Sequence, residues 1–447
     1  MKKLALAFIT LAVAATSQAT DLKSVFEQAV SNDPQLAAEL ASARANAQSI
    51  DVAGQLIKPT VIFNAEVSQN ELEGTPLSQN PQNPTDTTDL IGSDGVYDKT
   101  SYDISLSQNL FAMADWYSYS AASTATDSSV FELRKAEQSM VVRAAEAYFN
   151  VLRANATLAS AKATETAVKR QLEQTQQRFK VGLIAITDVH EAQSIYDNAT
   201  VGLIEAETQL DIAYESLAVL TGTRYDRINP LKDEIPLLGP MPADRTHWEQ
   251  KALAQNLDVL IASKSSESAD FNHKSKKSEH LPKVTLEAQY AISENDQSFS
   301  GEEVTSTYVG VKLAMPLYAG GATWAGQKQA YYQRQAAEKG LESAQRGASL
   351  NVRSLYRQLE ADVARIKARN QAMTSARSAM EATQTGYEVG TRNIVEVLDA
   401  QTSVFSAQQN YAYARFDYVI DLLKFRQSVG ELSTADIDEV NSWLLKK

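Results

Sequence analysis

Residues 181–193, VGLIAITDVHEAQ, decide the fold because a related stretch occurs a second time in the chain. They align with residues 389–401, VGTRNIVEVLDAQ, at an offset of 208 residues, and six of the thirteen positions are identical. We therefore interpret the chain as an internal duplication, with one copy over 20–230 and the other over 231–447. Two copies favour a closed ring over a solenoid, which usually needs three or more stacked repeats. The same offset relates further residues: Tyr148 and Tyr356, Trp116 and Trp324, Gly222 and Gly430.

Long helices are predicted on both sides of each copy of this motif. Neither Pro nor Gly occurs between Gly95 and Gly182, which permits helices far longer than the usual three turns. Behind Gly182, apolar residues recur at alternating spacings of three and four, as in the seam of a coiled coil. The predicted helices lie at about 113–181, 186–221, 322–388 and 394–430. The seam consists of Val189, Ala192, Tyr196, Ala199, Leu203, Ala206, Leu210, Ala213, Leu217 and Leu220, and it recurs as Val397, Ala400, Val404, Ala407, Tyr411, Ala414 and Tyr418.

Four stretches of about ten residues alternate apolar and polar side chains. This alternation is typical of outer-membrane barrel strands, which are apolar towards lipid and polar towards the lumen. Half-buried strands of a soluble sheet show the same alternation, but the symmetric placement of the four stretches in the two copies favours the membrane interpretation. The predicted strands lie at about 60–70, 101–111, 283–293 and 307–318. Aromatic residues follow them like an interfacial girdle: Phe111, Trp116, Tyr117, Tyr318 and Trp324.

The composition excludes several classes of protein. The 447 residues include 42 Lys and Arg against 55 Asp and Glu, a net charge of −13, whereas a nucleic-acid-binding protein needs a basic surface. The absence of Cys excludes disulfides, zinc–thiolate sites and thiol catalysis. The four His lack metal-ligand spacing, so we expect neither a metal nor another cofactor. No phosphate-binding loop, nucleophile elbow or zinc-protease motif occurs, and we expect no enzymatic activity.

Residues 1–19 have the features of a secretory signal peptide. Lys2 and Lys3 precede a short apolar segment over 4–15, and Ser17-Gln18-Ala19 forms a small-x-small cleavage site. The apolar segment is too short for a membrane anchor, and no later run of about 18 apolar residues predicts a membrane-spanning helix. We expect export to the bacterial envelope.

The number of predicted strands requires an assembly of chains. Barrels built from a single chain have at least about eight strands, whereas this chain offers four. An open sheet edge in lipid leaves backbone groups without hydrogen-bond partners. Several chains must therefore share one barrel.

Several segments resemble the TolC family of outer-membrane efflux and secretion ducts. The resemblance covers nearly the whole mature chain, from about residue 21 to 435, and it lies in the order and spacing of the segments as much as in their residues. The segments are AYFNVL at 147–152, QQRF at 176–179, VGL at 181–183, AITDV at 185–189, HLP at 280–282, MPLYAGG at 315–321 and GYEVGTR at 386–392.

The resemblance implies an α+β membrane protein that assembles as a homotrimer. Three chains, each with four strands, share a 12-stranded transmembrane β-barrel, and a barrel of 12 coiled-coil helices continues through the periplasm. A mixed equatorial domain would consist of residues 21–35, 223–247 and 431–447. Outer-membrane lipid surrounds the β-barrel, and outer loops are expected at 71–99 and 294–306.

The resemblance also implies a function and partners. Family members are passive exit ducts for drugs, toxins and bile-salt-like small molecules, or for proteins in type I secretion. They dock through a periplasmic adaptor protein to an inner-membrane transporter of the ABC or RND type, and they open at the periplasmic tip. A non-conducting coiled-coil protein that spans the envelope is the alternative interpretation.

The turns at Gly182 and Gly390 are expected to form the periplasmic mouth. Glu396 and Asp399 are three residues apart and share one helix face. The resemblance implies that a trimer places six such carboxylates in a narrow ring that favours cations. An ordinary solvated acidic face is the alternative. Glu191 replaces an uncharged residue of the family and is a candidate for an additional carboxylate at the mouth.

The resemblance further implies a latch of polar links that keeps the mouth closed. An arginine–carboxylate pair is strong yet breakable, which suits such a latch, and Asp188 is the expected partner of the arginine, with Glu191 as a competitor. Ordinary polar residues of a helix surface are the alternative. The latch residues are Tyr387 and Arg392 on one side and Gln171, Thr187 and Asp188 on the other.

Overall fold

A computed structural model of the chain describes residues 20–72, 95–295 and 303–445. The expected signal peptide, 1–19, lies outside the described residues, as do 73–94 and 296–302 of the expected outer loops. The elements are α1 (Leu22–Asn32), α2 (Pro34–Gly54), β1 (Thr60–Leu72), β2 (Gly95–Phe111), α3 (Met113–Lys180), α4 (Ile186–Thr221), α5 (Arg245–Gln255), α6 (Leu257–Ser278), β3 (Lys283–Asn295), β4 (Val304–Ala314), α7 (Ala322–Glu388), α8 (Ile394–Val429) and α9 (Thr434–Ser442).

The helices follow the duplication. Helices α3 and α7 contain 68 and 67 residues, and α4 and α8 contain 36 residues each. At a rise of about 1.5 Å per residue, α3 and α7 are each about 100 Å long. Helix α3 contains neither Pro nor Gly, so no residue in it interrupts the backbone hydrogen bonds. In the described part of the chain, no helix combines the length and apolar character that a membrane crossing requires.

The predicted seam faces away from solvent. Every seam residue of α4 and α8 is buried or half-buried, as expected for positions that share one stripe of a helix. The fully buried members are Ala192, Ala206 and Leu217 on α4, and Val397, Val404, Ala414 and Tyr418 on α8.

The chain forms two compact units, of which the first comprises residues 20–43, 130–261 and 342–445. Its core includes Tyr148 and Phe149 of α3, which pack edge to face with ring centroids 5.8 Å apart. The three segments assigned to an equatorial domain meet in this unit. Short bridges join Thr20 to Ile228 and Leu231 to Leu444, and α1 contacts both α4 and α9.

Two equivalent glycines end α4 and α8. Gly222 and Gly430 adopt left-handed backbone conformations with φ of 70° and 87°. The backbone of Gln255 passes so close to Gly430 that a Cβ there would lie 2.2 Å from its carbonyl oxygen. Only glycine satisfies both the conformation and the close approach.

The second unit comprises residues 44–72, 95–129, 262–295 and 303–341 and contains one antiparallel sheet of order β1-β2-β3-β4. One row of paired residues crosses the sheet, since Phe63 pairs with Ile104, Ile104 with Tyr290, and Tyr290 with Thr307, and the register of β2 with β3 shifts between Asn109 and Phe111. Within the residues described, β1 and β4 each pair with one strand, so each has one unpaired edge.

Several strand boundaries differ from the sequence prediction: β1 and β3 each end two residues later, and β2 and β4 differ more. Strand β2 begins at Gly95, so residues 95–99, expected in the outer loop, pair with the end of β1 instead. Asp98 and Lys99 interrupt the apolar alternation, but backbone pairing does not require it. Strand β4 begins at Val304 and ends at Ala314, before Pro316, which has no N–H to donate to a neighbouring strand.

The expected aromatic girdle is only partly outward-facing. Phe111, Trp116 and Trp324 are exposed, and so is Tyr318. Tyr117 instead stacks on Phe271 of α6 with ring centroids 6.5 Å apart. This residue therefore packs within its own unit.

Candidate functional site

The first tip, residues 178–191, joins α3 to α4. Gly182 adopts φ of 74°, and the amide of Leu183 donates to the carbonyl of Arg178 at 2.9 Å, which closes the end of α3. Ala185 precedes α4 without a side-chain cap. The exposed apolar residues here include Val181 and Leu183, and the exposed charged residues are Arg178, Lys180 and Glu191.

The second tip, residues 386–399, joins α7 to α8 with the same backbone turn. Gly390 adopts φ of 78°, and the amide of Thr391 donates to the carbonyl of Gly386 at 2.8 Å. Here the following helix is capped, because the side chain of Asn393 accepts a hydrogen bond of 2.9 Å from the amide of Glu396. The second tip therefore has a side-chain helix cap that the first tip lacks.

The two predicted pore carboxylates lie at the start of α8. Glu396 accepts a hydrogen bond of 2.6 Å from Arg392, four residues earlier. This bond is the main reason why the pKa of Glu396 is lower than usual, and the backbone amide of Asn393 acts in the same direction. Asp399 is exposed about one turn further along the helix. Glu396 is thus held as a carboxylate at neutral pH.

Within one chain Arg392 binds Glu396, so its pairing with Asp188, with Glu191 as a competitor, stays a prediction for the assembled mouth. Arg392 lies just before the N-cap Asn393, and its side chain reaches the first turn of α8 from there. Asp188 accepts a hydrogen bond of 3.3 Å from its neighbour Thr187. Glu191 is exposed on α4.

The other predicted latch residues also have partners that the sequence did not indicate. Gln171 is buried and donates to Thr175 on its own helix at 3.4 Å. Tyr387 does contact the other hairpin, but through the guanidinium of Arg178, which lies 4.9 Å from the centre of its ring. Sequence reasoning missed Arg178 as a functional candidate. A signal was nevertheless available in the sequence. Arg178 is next to Phe179, and Phe179 occupies the position in the first copy that Tyr387 occupies in the second.

The two tips offer a charged surface and one link between hairpins. Cation–π contacts of this kind contribute about 0.5–1 kcal/mol at exposed positions, so the Arg178–Tyr387 contact is readily broken. The acidic side chains of both tips, Asp188 and Glu191 on α4 and Glu396 and Asp399 on α8, attract cations. In the part of the chain that the structure describes, no cluster of His, Asp or Glu has the arrangement of a metal site.

Known proteins share both the sequence and the fold. The family model described as outer membrane efflux protein matches residues 25–223 and 248–431, which together take in both copies of the duplication. The chain belongs to the outer membrane efflux protein family. Among its relatives, outer membrane protein TolC of Vibrio cholerae serotype O1 is 35% identical over 451 residues, which cover 99% of each chain.

Two further comparisons agree with this family. Alkaline protease secretion protein AprF of Pseudomonas aeruginosa is 26% identical over 421 residues, 93% of this chain and 85% of the relative. The crystal structure of the Campylobacter jejuni CmeC outer membrane channel covers 95% of this chain and 90% of its own, with a TM-score of 0.76 and 15% identity, and shows the shared fold. This efflux protein is accordingly an outer-membrane channel for efflux or secretion, with helices that extend into the periplasm.

Proposed function

We propose that three copies of this efflux protein close one 12-stranded barrel and form a passive exit duct. The observation that carries the proposal is the four-stranded sheet, whose β1 and β4 have unpaired edges in the described residues. Backbone groups at such edges cannot remain unpaired in lipid. Three chains supply twelve strands, which exceeds the minimum of about eight for a barrel. Apolar side chains such as Val67, Val309 and Leu313 are exposed on the isolated chain and suit contact with lipid.

We propose that the duct receives its cargo from an inner-membrane transporter of the ABC or RND type through a periplasmic adaptor protein. Drugs and other toxic small molecules are one class of cargo, which the family description supports. Secreted proteins are the other class, which the name of the relative AprF supports. The chain has no need of its own energy source in this arrangement, because the transporter supplies it.

We propose that the second tip lines the narrowest part of the periplasmic mouth. Glu396 and Asp399 from three chains would form a ring of six carboxylates, and such a ring selects cations. Both side chains are at the start of α8, where Glu396 accepts a hydrogen bond from Arg392 and Asp399 is exposed. Asp188 and Glu191 would add two further carboxylates per chain at the first tip.

We propose that Arg392 and Tyr387 help to keep the mouth closed. The Arg178–Tyr387 contact supports this role because it joins the ends of α3 and α7. Arg392 has further donors besides the one that binds Glu396, since a guanidinium carries five N–H groups. Gln171, Thr187 and Asp188 would complete the latch in the trimer, where the hairpins of neighbouring chains meet.

Single-channel recording of the purified protein in planar bilayers tests the duct. We expect discrete, cation-selective conductance steps from a species that migrates as a trimer without heating and as a monomer after heating. A matched control is the same preparation after heat dissociation, which should not conduct. A trimer that inserts into the bilayer but never conducts would favour the alternative of an envelope-spanning spacer.

A further inference from the structure

A buried carboxyl group lies in α7, far from either tip. The side chain of Asp362 is completely buried, and its oxygen Oδ2 has no hydrogen-bond donor. Its other oxygen, Oδ1, accepts a hydrogen bond of 3.2 Å from Gln358 and forms an ion pair with Arg365 at 3.0 Å. Asp362 lies 28 residues before Gly390, or about 42 Å along the helix from the second tip.

A second carboxyl group faces Asp362 from α8. Asp421 lines the same cleft as Gln358 and Arg365, the two partners of Asp362, and its charge raises the pKa of Asp362. The duplication relates both positions to the first copy. Their equivalents in the first copy are Ala154 and Ala213, and Ala213 belongs to the coiled-coil seam. Two alanines of the first hairpin are thus replaced by two carboxyl groups in the second.

The groups around this pair come from three helices. Helix α7 contributes Arg365, and α8 contributes Asp417 and Lys424 besides Asp421. Helix α3 contributes Glu146 and Arg153, which form ion pairs with Lys424 at 2.7 Å and with Asp417 at 2.5 Å. These residues border a cleft of about 350 Å³.

This cluster has one more negative than positive charge if all its groups are ionised. Its four carboxyl groups are Glu146, Asp362, Asp417 and Asp421, and its three cations are Arg153, Arg365 and Lys424. Glu146 and Asp417 each have their own cation. Arg365 remains for the two carboxyl groups of Asp362 and Asp421, and it is 41% exposed, so water screens its charge. One proton shared by the two carboxyl groups would neutralise the cluster and supply the missing donor.

We propose that Asp362 and Asp421 form a proton-binding site that holds one shared proton at neutral pH and joins α7 to α8. The proposal does not depend on the proposed function of the tips. Burial raises the pKa of Asp362 to about 7, with the charge of Asp421 as the next cause, and Arg365 opposes both. The pair therefore gains or loses its proton within the range of pH that an envelope protein meets.

The sign of the pH effect follows from the raised pKa. Below about pH 4, Asp362 is protonated in the folded and the locally unfolded hairpin, and the pair costs nothing. Between about pH 4 and 7, Asp362 is ionised in the locally unfolded hairpin but still protonated in the folded one, so the folded hairpin becomes less stable as the pH rises. Above about pH 7 Asp362 is ionised in both forms, and the stability of the hairpin falls no further. The equilibrium constant for local opening should thus rise by at most about tenfold per pH unit within this window.

Infrared titration of the intact trimer in lipid tests the site directly. A protonated carboxylic acid has a carbonyl stretching band that a carboxylate lacks. We expect one such band that disappears with a midpoint near pH 7 and is absent from the Asp362→Asn variant. Asp421→Asn removes the neighbouring charge and should shift the midpoint to lower pH. A titrating band that survives in both variants, or no titrating band at all, would overturn the proposal.

Two chemically identical substitutions provide the matched comparison. Asn has the shape and the donor of a protonated Asp, so Asp362→Asn should preserve the trimer at pH 7 and remove the pH dependence of amide exchange around it. Asp417→Asn should instead weaken the trimer, because it leaves Arg153 without its carboxylate. An Asp362→Asn variant as unstable as Asp417→Asn would mean that Asp362 is ionised, which contradicts the proposal.

Loss of the carbonyl stretching band on addition of calcium chloride at constant pH would show that the pair binds a cation and not a proton.

Discussion

The first and second tips occupy equivalent positions in the duplicated chain, but they stabilise the same turn by different means. Gly182 and Gly390 have nearly equal φ angles of 74° and 78°. In the second tip Asn393 caps α8, and Arg392 binds Glu396. The equivalents of these residues in the first tip are Ala185, Ile184 and Asp188, which form neither contact. 

The difference shows which requirements a duplication retains. The left-handed turn depends on glycine alone, so both copies keep it. The side chains around the turn are not needed for its conformation, and they have diverged: the second tip has a helix cap and an ion pair that the first tip lacks. The same divergence separates Ala154 and Ala213 from the buried Asp362 and its neighbour Asp421. The charged groups of the hairpin α7–α8, which carries the proposed pore residues, thus occupy positions that differ from those in α3–α4.

The largest expected effect is on ion selectivity. Glu396→Gln combined with Asp399→Asn should bring the cation/anion permeability ratio close to unity, because the ring then lacks all six charges. The matched control is Asp188→Asn combined with Glu191→Gln, which removes the same charge from the first tip and should leave most of the selectivity. Reversal potentials in a salt gradient measure both variants. An equal loss in the two variants would mean that both tips line the mouth.

A smaller effect is expected on the closing of the mouth. Arg392→Ser should raise the open population, because the proposed latch then lacks the donors of the guanidinium. Ile184→Ser makes the equivalent change in the first tip and should leave gating unchanged. Arg392→Lys should restore part of the closed population. Single-channel open probability is the readout, and equal opening by Ile184→Ser would refute the special role of the second tip.

The success of sequence reasoning depended on how local each feature is. The long helices and both turns could be predicted because Pro, Gly and the 3–4 spacing act within a few residues. The Arg392–Glu396 bond was also readable, as a pair four residues apart, but the search for a latch directed attention to Asp188. The start of β2 at Gly95 depends on pairing with β1, to which side-chain alternation is an incomplete guide.

The contacts between helices were the hardest to foresee. Arg178 and Tyr387 belong to different copies and meet only because α3 and α7 end at the same level. No spacing along the chain contains that information. The buried pair was partly visible, since Asp421 occupies the seam position after Tyr418 and places a carboxyl group where apolar residues are expected. Its partner Asp362 became apparent only from the packing of α7 against α8.

Removing the helix cap from the second tip and adding one to the first should change the local stability of the two tips in opposite directions. Asn393→Ala removes the cap of α8 and should cost about 1 kcal/mol of local stability. Ala185→Asn supplies a cap to α4 and should add a similar amount to the first tip. Hydrogen exchange of the first-turn amides of α4 and α8 measures both changes. If Ala185→Asn left exchange at the first tip unchanged, the lack of a cap would not explain the difference between the tips.

The smallest expected effect is on the contact that joins the two tips. Arg178→Met keeps much of the side-chain stem but removes the charge, and Tyr387→Leu removes the ring. A double-mutant cycle should yield a coupling of about 0.5 kcal/mol in the exchange of the last-turn amides of α7. Tyr387→Phe should retain the coupling, because the ring face and not the hydroxyl attracts the guanidinium. Phe179→Leu, the equivalent change in the first tip, should show no coupling with Arg178→Met. If the coupling vanished in Tyr387→Phe, the link would depend on the hydroxyl group of Tyr387 and not on its ring. Tyr387 and its equivalent Phe179 would then differ because only Tyr387 has a hydroxyl group.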